Sequence, residues 1–212
     1  MIVHIFTSDR EHPAIQFLDE IENASHEVSI IDDQSQLRGG QVLIAYHASH
    51  IVPKAVFERY TYPLVLHASK LPDGSGWSPL NWGLANGDVN FWLSLIEMTE
   101  KVDTGDLLAQ VTFEVAPHML LQDAINMLCM KEIELINNFL VAPSLSWNKR
   151  KPITTTGTYL SKRTPQDSEI DITKSLLDQF NVFRAADNYR YPVFFNHLGN
   201  KYVLKIFRDE ID

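Results

Sequence analysis

Apolar and polar positions alternate along this chain in short blocks that read as strand and helix by turns. Ile2 to Phe6 is a nearly continuous apolar run ending in Thr7-Ser8-Asp9, the pattern of a buried strand whose polar exit can cap a helix. Pro13 then opens a segment with Ala14, Phe17, Leu18 and Ile21 on one helical face. Glu27 to Ile31 and Gln41 to Tyr46 are apolar runs too short for helices, bounded by Asp32-Asp33 and Gly39-Gly40. Pro53 begins a helix through Arg59, and Pro63 to His67 is the next strand. Two more strands follow at Phe91 to Met98 and Leu107 to Glu114. A long helix covers Met119 to Phe139, with Leu121, Ala124, Ile125 and Leu128 on one face.

This order predicts an α/β fold, a Rossmann-like and mostly parallel sheet with helices on both faces. Trp147 to Arg163 is rich in Lys, Arg, Thr and Pro with weak periodicity and reads as an extended surface connection. Beyond it Leu176, Phe180 and Phe183 form an i, i+4, i+7 stripe, and Lys201 to Phe207 alternates like a hairpin arm. The expected organisation is a main domain over residues 1–145 and a small helix/strand extension over 146–212 packed on it.

At 212 residues, 45% hydrophobic and 21% charged, the chain is ordinary for a globular protein and long enough for one large core. Its formal charge of -9 argues against a phosphate-backbone footprint, so no nucleic-acid partner is expected. A small anionic ligand stays compatible with that charge. The single Cys129 allows no internal disulfide and no Cys-based metal cluster, and His4, His12, His26, His118 and His197 lack ligand spacing, so no metal is expected. The opening has no signal-peptide pattern and no run reaches membrane-spanning length, so the reading is cytoplasmic, with no membrane partner.

Chemistry concentrates between Val65 and Asp106. His67 ends a predicted parallel strand, where open α/β sheets place their ligands and where an imidazole can exchange a proton near neutral pH. A lone strand-end histidine is more often structural. Asp103, in Val102-Asp103-Thr104-Gly105-Asp106, changes the weighting, because a carboxylate from a loop between two sheet strands can orient that imidazole. In isolation that pentapeptide is a plain turn.

The segment Val65-Leu66-His67-Ala68-Ser69-Lys70-Leu71-Pro72, then Gly76, Pro79 and Asn81-Trp82, with Val102 to Asp106 downstream, resembles the folate-dependent formyltransferases. Their pattern is Asn-Leu-His-Pro-Ser-Leu-Leu-Pro followed by Val-Asp-Thr-Gly-Asp. Ala45-Tyr46 and Ile51-Val52-Pro53-Lys54 look like another family segment, so the resemblance covers at least residues 40–115. It implies N10-formyltetrahydrofolate as co-substrate, His67 and Asp103 as catalytic residues, and a pterin pocket at His50, Ile51 and Val52 with Thr99, Glu100 and Val102. Two departures matter: the family asparagine, a donor to the developing oxyanion, corresponds to Val65, and a histidine often present on the strand before the aspartate loop is Ile96. Strand alternation puts Val65 on the His67 face, lining the crevice. His67 itself, Ser69 or a water are candidate replacements.

The tail, Lys162-Arg163-Thr164-Pro165, Phe183-Arg184, and Tyr191-Pro192-Val193-Phe194-Phe195, looks like that of sugar N-formyltransferases. That likeness implies a UDP- or dTDP-amino sugar as acceptor. Ser69, Trp77, Arg163, Arg184, Tyr191 and Phe194 are the candidate substrate contacts, with arginines on a diphosphate and aromatics on a base or sugar. The competing readings are solvated arginines and an aromatic anchor docking the tail. An aminoacyl or other amine acceptor, or a non-catalytic binding protein, are the alternatives, and the oligomeric state is open, a homodimer included.

Overall fold

The computed structural model describes residues 1–21 and 25–209. A six-stranded sheet forms its centre, built from β1 (Ile2–Phe6), β2 (Glu27–Ile31), β3 (Gly40–Ala45), β4 (Tyr60–His67), β6 (Asn90–Glu97) and β7 (Leu107–Glu114). The two-residue β5 (Ser75–Gly76) lies outside it. The spatial order is β2-β1-β3-β4-β6-β7. The first four strands are parallel, while β6 runs against β4 and β7 against β6. The mostly parallel α/β sheet is therefore as the sequence pattern required. Because β2 and β3 flank β1, the chain leaves β1 and β3 in opposite directions, which opens a crevice at their carboxyl ends.

Side-chain alternation divides the core between the two sheet faces. Val3, Ile5, Val42, Ile44, Leu64, Leu93 and Leu95 pack under α3 (Leu121–Val141), α2 (Pro79–Asn86) and a 3-10 helix at Pro13–Glu20. On the opposite face Phe6, Leu43 and Tyr60 meet Val52, Phe57 and Met98, covered by the short α1 (Lys54–Phe57). Val65 belongs to this second, thinner layer, which leaves room beside it.

Several local expectations give way to tertiary geometry. The segment opened by Pro13 is a 3-10 helix, and its cap is His12, whose Nδ1 accepts the Ala14 N–H at 3.1 Å, rather than Thr7, Ser8 or Asp9. The pattern missed α2, an eight-residue helix introduced by left-handed Ser78 and Pro79. The connection read as extended contains the end of α4 (Pro143–Asn148), and also β8 (Tyr159–Leu160), which pairs with β5. Leu176 lies outside α5 (Phe180–Ala185) and is 66% exposed, so the apolar stripe begins only at Phe180. At the end of the chain β9 (Val193–His197) and β10 (Asn200–Leu204) form an antiparallel hairpin, and α5 packs on α2. Among the described residues no helix is long and apolar enough to cross a membrane.

Candidate active site

β4 delivers Val65 and His67 to the same face of the sheet, at the carboxyl end where its parallel neighbour β3 also stops. The loop after β6 folds back over this face. Met98 N–H donates to Pro63 O at 2.8 Å, and Glu97 N–H to Asp106 O at 2.9 Å. Only glycine fits at Gly105, where a Cβ would overlap the Glu97 carbonyl. Asp103 sits in the left-handed region at φ 58°, which aspartate tolerates better than most residues. Arg150 secures both loop ends, with Nε 3.1 Å from Glu97 and 3.4 Å from Asp106.

The fold so brings His67 and Asp103 together. Nδ1 of His67 lies 3.4 Å from Oδ1 of Asp103, an ion-pair distance longer than a tight hydrogen bond, and both side chains are about nine-tenths buried. The other carboxylate oxygen accepts the Gly76 N–H at 2.8 Å. Nε2 of His67 faces Gly74 O at 2.9 Å. Both ring nitrogens thus face oxygens that only accept. Gly76 adopts φ 103°, and a Cβ there would overlap Leu160 O and crowd the Tyr159 ring, so β8 packs directly on the loop that holds the aspartate.

These residues border a cavity of about 330 Å³. Ala45, Ala48, Val52, Val65, Ile96 and Met98 supply apolar wall, and His67, Asp103, Thr99 and Lys101 supply polar groups. Val65 lines it, as strand alternation implied, and stands in register opposite Ile96. Two apolar side chains thus occupy the two positions at which the sequence departs from the polar pattern. His50, Ile51, Val52, Thr99 and Val102 all line the cavity. Glu100 does not: its carboxylate turns to the surface and accepts from Lys54 at 3.2 Å.

The expected acceptor contacts mostly lie elsewhere. Trp77 is at the mouth, 39% exposed, with the Lys162 ammonium 4.8 Å from its ring centre. Ser69 faces a separate recess and its buried hydroxyl has no partner, which removes it as a donor into the cavity. Arg163 donates to Asn81 O and Asp167 O and stacks on Trp82, and burial lowers its pKa. Arg184 is 1% exposed and donates to Met119 O at 3.0 Å and Ala116 O at 3.2 Å. Neither a diphosphate contact nor a solvated surface describes it; it ties α5 to the turn before α3. Phe194 is buried beneath Lys201, Tyr191 is half exposed by the hairpin, and neither is among the cavity-lining residues. Tyr159 is a lining residue that sequence reasoning missed, because a two-residue strand leaves no periodic signal.

One further polar cluster was also passed over. His47, Cys129 and Glu132 offer ligand atoms within 4.8 Å of one another, although the sequence suggested no metal-binding group. Their positions are too far apart in the chain for spacing to reveal them.

An open α/β sheet with a histidine–carboxylate pair at the carboxyl end of a strand has the doubly wound architecture, in which ligands bind at that edge. Residues 5–138 match the formyl transferase family model, and the chain belongs to that family. It is 32% identical over 142 residues to the bifunctional polymyxin resistance protein ArnA of Wigglesworthia glossinidia brevipalpis, covering 66% of this chain and 21% of that protein. It is 30% identical over 179 residues to the methionyl-tRNA formyltransferase of Fusobacterium nucleatum, covering 81% and 54% respectively. The chain thus spans about half or less of the length of these relatives. The fold also matches a 4-N formyltransferase from Francisella tularensis, with TM-score 0.77 at 18% identity over 99% of this chain and 98% of that one.

Proposed function

We propose that this chain is a formyltransferase that moves a formyl group from N10-formyltetrahydrofolate to the amine of a nucleotide-linked amino sugar, UDP- or dTDP-activated, for glycan synthesis. The observation that carries the reading is the His67–Asp103 pair facing a cavity with largely apolar walls in a chain of this family. A volume of about 330 Å³ bounded by Val52, Val65, Ile96 and Met98 suits a flat heterocycle, with the edges of the loops at His50–Val52 and Thr99–Val102 available to its polar rim. When bound, the folate supplies the activated formyl group. His67 accepts the proton that the acceptor amine must lose and returns it to the folate N10 as the N10–formyl bond breaks, and Asp103, fixed by the Gly76 N–H, orients and stabilises the charged ring. In this reading residues 1–145 are the catalytic domain and 146–212 an extension that contributes Tyr159 to the wall.

The Trp77–Lys162 pair at the mouth, an aromatic face beside a cation suited to a nucleotide, supports the sugar acceptor, as does the fold shared with a sugar N-formyltransferase from Shewanella sp. FDAARGOS_354 at TM-score 0.73 and 14% identity. The 30% identity to a methionyl-tRNA formyltransferase favours an aminoacyl amine as second reading. Incubating the purified chain with the folate donor and a panel of UDP-amino sugars, dTDP-amino sugars and aminoacyl acceptors tests both by mass spectrometry. A formyl mass gain on a nucleotide sugar is expected. Gain on aminoacyl acceptors alone selects the second reading, and no gain anywhere from folded, folate-binding protein overturns the enzyme reading.

A further inference from the structure

On the α3 side of the sheet, away from the cavity lining, three donor groups of different chemistry converge. Cys129 and Glu132 are three residues apart on α3 and so share one face of it. His47 arrives from the exit of β3 in the left-handed region at φ 46°, a backbone conformation rarely adopted by side-chain-bearing residues and usually kept where a specific contact requires it. Its Nε2 lies 2.8 Å from the Glu132 carboxylate. Cys129 is fully buried and Glu132 is 4% exposed. The Tyr46 hydroxyl donates to Ala14 O at 3.2 Å, and the His12 ring stacks on His47 at 4.4 Å.

We propose that His47, Cys129 and Glu132 form a binding site for a transition-metal dication of the zinc type. Imidazole, thiolate and carboxylate are the donors such an ion takes, and the thiolate disfavours magnesium and calcium, which prefer all-oxygen shells. Donors about 2.0–2.3 Å from zinc in a tetrahedron stand roughly 3.3–3.8 Å apart. The three atoms here lie within 4.8 Å of one another, so side-chain adjustments of about 1 Å bring them into range. Charge also balances, since a dication with one thiolate and one carboxylate is neutral in a buried setting. Without a cation, burial keeps the thiol protonated, its pKa pushed up to about 12, with Glu132 adding to the effect. Binding expels that proton and the proton shared by His47 and Glu132, leaving three metal–ligand bonds in place of the thiol S–H bond and the His47–Glu132 hydrogen bond. Such a site ties β3 to α3 beside the crevice, and none of its three ligands is a cavity-lining residue, so it stands independently of the proposed formyl transfer.

Titrating chelator-treated protein with Co2+ as the probe tests this directly. We expect about one ion per chain and a thiolate-to-cobalt charge-transfer band, abolished in Cys129→Ser and displaced by Zn2+. Glu132→Gln keeps the band but weakens binding at least tenfold. Circular dichroism establishes that each variant is folded. Folded wild-type protein with no charge-transfer band at millimolar Co2+, or a band that persists in Cys129→Ser, overturns the proposal.

Discussion

Two neighbouring parallel strands each carry, at or just past the carboxyl end, a histidine that meets a carboxylate from a distant segment, and the two pairs differ in almost every physical respect. After β3, His47 and Glu132 close to 2.8 Å under α3, with the carboxylate side chain 5% exposed. At the end of β4, His67 and Asp103 stand 3.4 Å apart at the edge of a cavity, and each also holds a backbone partner in the Gly74–Gly76 turn. Burial works against charge on His47, and the Glu132 carboxylate overrides it through charge and hydrogen bonding, so the imidazole is held above its ordinary pKa. The lesson is that proximity alone does not mark a reaction centre. The tighter pair lies outside the lining of the candidate active-site cavity and joins the exit of β3 to α3, whereas the looser one borders ligand space.

Replacing His67 separates the pairs most sharply. Under the proposed reading His67→Ala lowers formyl transfer by about a hundredfold to ten-thousandfold, read as tetrahydrofolate release, with little change in unfolding temperature. Its counterpart Glu132→Ala should do the reverse. Leaving a charged imidazole unpaired in the interior costs about 3–5 kcal/mol in urea unfolding, while turnover per folded molecule changes little. Should Glu132→Ala abolish turnover without loss of stability, the division of labour is wrong.

Restoring a donor at the cavity wall is the next test. An amide at Val65, opposite Ile96, should raise turnover by about tenfold, less than the hundredfold or more that loss of an oxyanion donor costs in a site built around one. An unchanged rate would mean that another group already fills the role.

The smallest effect is on pH. Burial, followed by the charge of His47, lowers the His12 pKa to about 4, below its unfolded value of 6.5. Neutral His12 therefore stabilises the fold above pH 6.5, and that stability is lost as pH falls toward 4. His47 has the opposite sign: its contribution is full below the ordinary imidazole pKa and is lost as pH rises through its raised folded value. Stability from the stacked pair should peak near pH 6.5, with an acid limb of about 1–2 kcal/mol once the partial exposure of His12 is allowed for. His12→Phe should flatten the acid limb in denaturant titrations across pH 4–8 and leave the alkaline limb in place.

The sheet was legible because its strands bury continuous apolar runs, and His67 and Asp103 because they sit at a strand end and in a loop between strands, whereas the loops at His50–Val52 and Thr99–Val102 were legible only through the family resemblance. What stayed hidden depends on long-range packing. Arg163 and Arg184 look like ligand-binding cations in sequence, and only the fold reveals that backbone carbonyls consume them. Glu100 falls within a cavity loop, yet Lys54 draws it outward. The His47–Glu132 pair spans 85 positions, and neither residue belongs to a spacing motif that would announce it.

The claim that His67 and Asp103 act as one unit is tested most directly by a double-mutant cycle on kcat/KM, using His67→Ala, Asp103→Asn and the double variant with the preferred acceptor. The account predicts strong non-additivity, the double variant losing no more than the worse single one. Losses that simply multiply, or a His67→Ala rate equal to wild type, would contradict it.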